Sequence, residues 1–202
     1  FSMVLIAASQ FERPLSFQTQ GIFVSPPPNL EYFSFGFQEV LADSLWLRAI
    51  QDFDYCDMPL AKNLCKGQGW LFKMLDTVTN LSPKYRQVYF SGGLALTVII
   101  SDYEGASRIY DKGVALYPKD WRLLYAASYH ALFEEKNKAK AAMLGVQAAQ
   151  NGAPSWLYSL AAGLYTEEGQ KQLGEKLYQE LQDSGVDEGV LKRMREKLDG
   201  KN

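Results

Sequence analysis

Residues 116–121 read Leu-Tyr-Pro-Lys-Asp-Trp, and how this phrase is read decides the fold. A related phrase, Leu-Ser-Pro-Lys-Tyr-Arg, occupies residues 81–86, and a third, Gly-Ala-Pro-Ser-Trp-Leu, occupies residues 152–157. Pro83 and Pro118 stand 35 residues apart, and Pro118 and Pro154 stand 36 apart. A recurring interval of that size marks a chain assembled from repeated supersecondary units. Proline cannot continue the helix before it but suits the first turn of the next. The phrase therefore reads as a helix-to-helix junction, repeated because the folded unit is repeated.

The residues between junctions fit this reading. After Pro83 come Tyr89, the small pair Gly92-Gly93 and then Leu96; Ala106, Tyr110 and Gly113 precede Pro118. The next unit offers Leu124, Ala127-Ser128 and Ala131, followed by Ala142, Val146 and Ala149 ahead of Pro154. Small side chains at one set of positions let two helices approach closely, and large apolar ones fill the space to the neighbouring unit. Each unit is thus a helix hairpin, and Gly92-Gly93 is a close-approach pair rather than a ligand loop.

Outside the regular units the pattern loosens. Residues 35–53 carry Val40, Leu41, Leu45, Trp46, Ala49, Ile50 and Phe53 at helical spacing and predict one amphipathic helix. Residues 69–83 predict its partner, and residues 54–68 form an insertion between them that holds Cys56 and Cys65. The proline-rich residues 24–34 predict an extended lead-in. Near the end, residues 167–181 predict the last paired helix. Asp187 then caps a terminal helix with Val190, Leu191, Met194 and Leu198 on one stripe. The expected architecture is all-α: a right-handed α-solenoid of about four hairpins (35–83, 84–118, 119–154, 155–184) with a capping helix at 187–198. Residues 1–34 precede this helical domain as a separate segment. Such a stack needs a capped end and presents a concave groove lined by the first helix of each hairpin.

The hairpin pattern resembles the tetratricopeptide repeat, most closely over residues 84–118, fairly over 119–154 and in degenerate form over 155–185. The order of residues 35–156 is also similar to a group of bacterial repeat proteins with an N-terminal anchor or signal and a repeat domain facing the cell envelope. Leu41-Ala42-Asp43 and Trp46-Leu47-Arg48 carry that likeness. It implies a location on the periplasmic side of a bacterial envelope, a cytoplasmic location being the alternative. The repeat resemblance implies groove positions one, five and eight residues after the leading position of each first helix. Near Tyr89 these are Gln87, Phe90, Leu94 and Thr97. Near Leu124 they are Arg122, Tyr125, Tyr129, Leu132 and Phe133, and the last unit offers Trp156, Tyr158 and Tyr165. Aromatics beside an arginine are the residues binding hot spots favour.

Composition narrows the function classes. A net charge of -2, with no basic block, argues against nucleic-acid binding, which needs a phosphate-neutralising stripe. The apolar run at residues 3–8 is far shorter than the ~20 residues that span a bilayer. It is either the tail of an anchor or export signal preceding Phe1, or an ordinary helix or strand. Cys56 and Cys65 lack the spacing of a zinc knuckle or redox motif. They either close a short disulfide loop in an export compartment or stay as thiols in a reducing one.

No nucleophile elbow, phosphate-cradling loop or metal-ligand cluster accompanies the single histidine, His130. It reads as a helix-surface or interface residue, so no enzyme activity and no cofactor is expected. Asp43, on an apolar helix beside Trp46, reads as a buried, hydrogen-bonded orienter of the first two hairpins, with Arg48, Arg86 or a backbone N–H as partner. The leading functional expectation is a non-enzymatic scaffold whose groove binds a peptide or helix of a protein partner. By analogy with other repeat proteins that partner belongs to a secretion, pilus or motility assembly. The alternative is a structural or oligomerising module whose groove is filled by its own or a neighbour's N-terminal segment.

Overall fold

The structure, a computed structural model, describes residues 23–51 and 65–200. Every regular element among them is helical, in agreement with the all-α expectation. Helix α1 spans Gln38–Gln51 and α2 spans Trp70–Leu81. Helix α3 covers residues 86–100 and includes two π-helical stretches, Val88–Gly92 and Ala95–Ile100. Then follow α4 (Tyr103–Leu116), α5 (Trp121–Phe133), α6 (Lys138–Gln150), α7 (Trp156–Glu167), α8 (Lys171–Asp183) and α9 (Glu188–Leu198).

Pro83, Pro118 and Pro154 fall between α2 and α3, α4 and α5, and α6 and α7. They stand outside the first turn of the following helix, correcting the expected placement. The turn is instead closed by side-chain caps where a suitable residue exists. Asp120 accepts from the Leu123 N–H at 3.4 Å, Asn137 from Lys140 N–H at 2.9 Å, and Asp187 from Val190 N–H at 3.3 Å. Each such cap stabilises its helix by about 1 kcal/mol by satisfying an orphan donor. The segment 167–181 is not one helix. Gly169 adopts φ +71°, a conformation glycine takes without steric cost, and it separates α7 from α8. The lead-in contains a 3₁₀ turn, Leu30–Phe33, that the prolines did not announce. Trp70 fastens the lead-in to α2: its indole N–H donates to the Val24 carbonyl at 3.0 Å, and the Phe23 ring meets it edge-on.

Packing is between near neighbours. Each helix lies against the next in sequence. Contacts also join α2 to α4, α3 to α5 and α7 to α9. One apolar cluster runs from Ala42 on α1 to Leu157 on α7; a second runs from Ala131 on α5 to Leu198 on α9, and Ala149 touches both. Full burial of residues such as Leu75, Leu96, Leu123 and Met194 stabilises by about 1.5–3 kcal/mol each. The small residues permit this closeness. A Cβ on Gly93 would lie 2.7 Å from the Tyr110 ring, and one on Gly113 would lie 2.6 Å from Tyr89 Cβ.

Side-chain bonds recur between residues 33 to 36 positions apart. Thr97 meets His130, the Tyr117 hydroxyl donates to the Lys84 carbonyl, and Arg86 pairs with Asp120. Lys112 pairs with Asp76, and the Gly67 N–H donates to Asp102 at 2.7 Å. Asp102 is the densest of these links. Buried at the N-cap of α4, it also accepts from the Gly105 N–H at 3.0 Å, so it ties residues 65–68 to the α3–α4 turn. The proposed docking element at residues 1–9 lies outside the described residues, as does Cys56.

Candidate functional site

The outer faces of α1, α3, α5 and α7 expose large apolar side chains in succession. Leu47 and Ile50 stand on α1, Leu94 and Val98 on α3, Tyr125, Tyr129 and Phe133 on α5, and Trp156 and Leu160 on α7. Val98 is 65% exposed and Tyr129 49% exposed, so the stripe is a contiguous apolar surface rather than single exposed side chains. Aromatic contacts knit the stripe: Tyr125 meets Trp156 edge-on at 6.1 Å, and Tyr129 lies 4.5 Å from Phe133.

Two open cavities indent this surface. The first, about 450 Å³, lies between α1, α2 and α3; Trp46, Ile50, Leu71 and Leu75 form one side and Leu94, Val98 and Ile99 the other. The second, about 320 Å³, lies between α3 and α5 against α4. Phe90, Leu94 and Val98 face Trp121, Arg122, Tyr125 and Tyr129 across it. Leu94 and Val98 border both, so the cavities adjoin across one ridge on α3. Arg122 stands at the rim with its guanidinium 5.0 Å from the Trp121 ring centre.

The floor of the second cavity is polar and closed. His130 is 1% exposed, with Nδ1 2.9 Å from Thr97 Oγ1 and Nε2 3.0 Å from Ser107 Oγ. The Tyr103 carbonyl also lies 3.2 Å from Nε2, so both ring nitrogens have polar neighbours. Burial lowers the His130 pKa, and the nearby Glu135 carboxylate, 3.8 Å away, offsets this only in part. The ring is therefore neutral at pH 7. Glu135 is itself held ionised: burial raises its pKa, but the Lys140 ammonium at 2.8 Å outweighs that and the net shift is downward. Burial pushes the Tyr110 hydroxyl up to about 12, against a hydrogen bond with Thr97 that lowers it. His130 is an interface residue between α3, α4 and α5, with its polar atoms consumed by neighbours.

The predicted groove residues divide. Phe90, Leu94, Arg122, Tyr125 and Tyr129 line the second cavity with Thr97 at its floor, and Phe133 and Trp156 extend the stripe beyond it. Thr97 is 5% exposed and faces inward, bonding the Gly93 carbonyl and His130. Val98, four residues after Leu94 and within the second π-helical stretch, takes the surface beside it. Tyr158, 8% exposed, belongs to the second apolar cluster and not to the groove. Of the first cavity only Leu94 was anticipated, although Trp46 and Ile50 at helical spacing were its visible signal.

Asp43 also departs from expectation. It is exposed, because Ala42 and Ala49 form the buried face of α1, and its partner is the Tyr85 hydroxyl rather than an arginine. Burial and then the Asp43 carboxylate push the Tyr85 pKa up. It still connects α1 to the α2–α3 junction, where the Tyr85 ring lies 5.9 Å from Trp46. Cys65 is buried just before α2.

Among the described residues no His, Cys, Asp and Glu cluster could hold a metal, and no helix is long and apolar enough to cross a membrane. No protein-family model, curated protein or solved structure matches the chain.

Proposed function

We propose that this chain is a non-enzymatic interaction scaffold, a tetratricopeptide-like solenoid of four hairpins with α9 as its cap, whose groove binds a peptide or helix of a partner protein. The carrying observation is the apolar stripe across α1, α3, α5 and α7 with two adjoining cavities sunk into it. Water-exposed apolar area of this continuity is characteristic of an interaction surface. The solenoid reading is supported by side-chain bonds between residues one period apart and by packing confined to near neighbours. A preformed surface of this kind loses little entropy on binding. The likeness carried by residues 41–48 motivates a setting on the periplasmic side of a bacterial envelope, with Cys56 and Cys65 joined.

The test is capture of envelope proteins by the purified chain beside a variant with Tyr125, Tyr129 and Phe133 replaced by alanine. All three side chains are substantially exposed, so the variant is expected to fold. Loss of the captured partners supports the groove; their retention by a folded variant removes it.

A further inference from the structure

We infer that the groove takes an amphipathic α-helix, not an extended segment, and that this helix carries an acidic residue facing Arg122. The inference rests on the groove reading above and names the chemistry of its occupant.

Backbone hydrogen bonds favour a helix first. An extended peptide brings about one N–H and one C=O per residue, and each left unpaired on burial costs about 1–3 kcal/mol. Proteins that bury the backbone of an extended segment supply side-chain amides, carboxylates or a free sheet edge to meet it, whereas a proline-rich segment leaves its backbone in water. Neither cavity is lined by an Asn, Gln, Asp or Glu. Thr97 and His130 are already bonded to one another, and Ser91 accepts from the Gln87 amide. What remains is the rim: two tyrosine hydroxyls, the Trp121 indole N–H and Arg122. A helix satisfies its own backbone and needs nothing from the floor.

Spacing provides the second argument. The two cavities lie on either side of the Leu94–Val98 ridge, and helices packed side by side stand about 8–10 Å apart. On an α-helix, residues i and i+7 share a face and are separated by about 10.5 Å. One helix crossing α3 therefore seats an apolar side chain in each cavity, with i+3 or i+4 resting on the ridge. A strand repeats its face every ~6.8 Å and does not match that interval.

The third is charge. Among the described residues Arg122 is the one charged side chain lining either cavity, with its guanidinium 5.0 Å from the Trp121 ring centre. With no acid on the groove wall to balance it, the complement is an Asp or Glu on the occupant.

The test uses a displayed library of random peptides of about 16 residues, some four helical turns, selected on the full chain. Binders are then measured against Leu94→Asp, Val98→Asp and Arg122→Glu variants whose folding is checked by circular dichroism and melting. The expected binders have large apolar residues at i, i+3 or i+4, and i+7 with an adjacent acid, and gain helical ellipticity when bound. They weaken about ten-fold or more with Leu94→Asp or Val98→Asp, and Arg122→Glu exchanges the preferred acid for Lys or Arg. Groove-dependent binders with alternating or proline-rich patterns overturn the helix while leaving the groove standing. Helical binders indifferent to Arg122→Glu overturn the acidic complement. Binders insensitive to Leu94→Asp and Val98→Asp, or no binders at all, overturn both this inference and the groove itself.

Discussion

Arg86 and Asp120, 34 residues apart, form an ion pair that ties the first turn of α3 to the N-cap of α5. Asp120 has two duties, since its other oxygen accepts from Arg122 N–H at 3.2 Å and Leu123 N–H at 3.4 Å. The hydrogen bond from Arg86 is the main reason its pKa falls below the usual carboxylate range. Asp120→Ala should therefore cost about 1–2 kcal/mol, the larger part from the lost cap. Arg86 is well exposed, so solvent screening limits the pair itself to about 0.5–1 kcal/mol in a double-mutant cycle. Urea titration of wild type, both single variants and the double variant reads these values. A coupling of zero would show that the junctions are held by packing alone.

Stability should fall on mild acidification through one residue. The folded-state pKa of His130 is lowered, chiefly by burial, beneath its unfolded value of about 6.5. Below pH ~6.5 the unfolded chain binds a proton that the folded chain refuses, so stability rises with pH up to that point and is flat above it. The slope is at most about 1.4 kcal/mol per pH unit. Asp120 and Glu135 have lowered pKa values and lose their contributions only at more acid pH, so the window belongs to His130. His130→Gln should abolish the slope between pH 5 and 6.5 while lowering stability at pH 7.5 by about 1–3 kcal/mol, since Thr97 and Ser107 lose a partner. Denaturant midpoints across that range decide; an unchanged slope in the variant would assign it elsewhere.

The helices were legible because Pro83, Pro118 and Pro154 punctuate the chain, and proline acts on backbone geometry locally, whatever its surroundings. The cavity-lining face of α5 was legible for a related reason: α5 is a regular helix, and Arg122, Tyr125 and Tyr129 follow its period. The exposed Val98 was not legible, because α3 includes π-helical stretches and these leave no mark that spacing alone reveals. Asp43 failed because its apolar neighbours suggested burial, whereas which face of α1 turns inward is set by α2, through the alanines it admits. The bond from the Gly67 N–H to Asp102 was not legible, because it joins residues 35 apart and depends on tertiary packing.

The cysteines give a prediction about location. Cys65 is buried immediately before α2, and the proposed bond to Cys56 would close a loop of about ten residues. In the chain-entropy account such closure stabilises by about 3 kcal/mol. Protein purified from its native compartment without reductant should show an intact mass lower by two hydrogens, and dithiothreitol should lower its melting temperature. Two free thiols in that sample would count against both the bond and an exported domain.

Two glycines inside helices should respond oppositely to the same substitution. Gly145 on α6 has room: an added Cβ would lie 3.5 Å from Ser128 Oγ, ordinary contact. Gly145→Ala should therefore stabilise by about 0.5–1 kcal/mol, because alanine loses less backbone entropy in a helix. Gly93 has none, since its Cβ would enter the Tyr110 ring at 2.7 Å. That ring cannot retreat freely, being 2% exposed, with His130 5.4 Å away on one side. Gly93→Ala should cost about 1–3 kcal/mol through overpacking, despite the same entropic gain. Because Tyr110 also borders the second cavity, the variant should disturb the groove where Gly145→Ala does not. Melting curves of the two variants test the sign. If Gly93→Ala is neutral or stabilising, α3 and α4 are not in the close contact on which the second cavity depends.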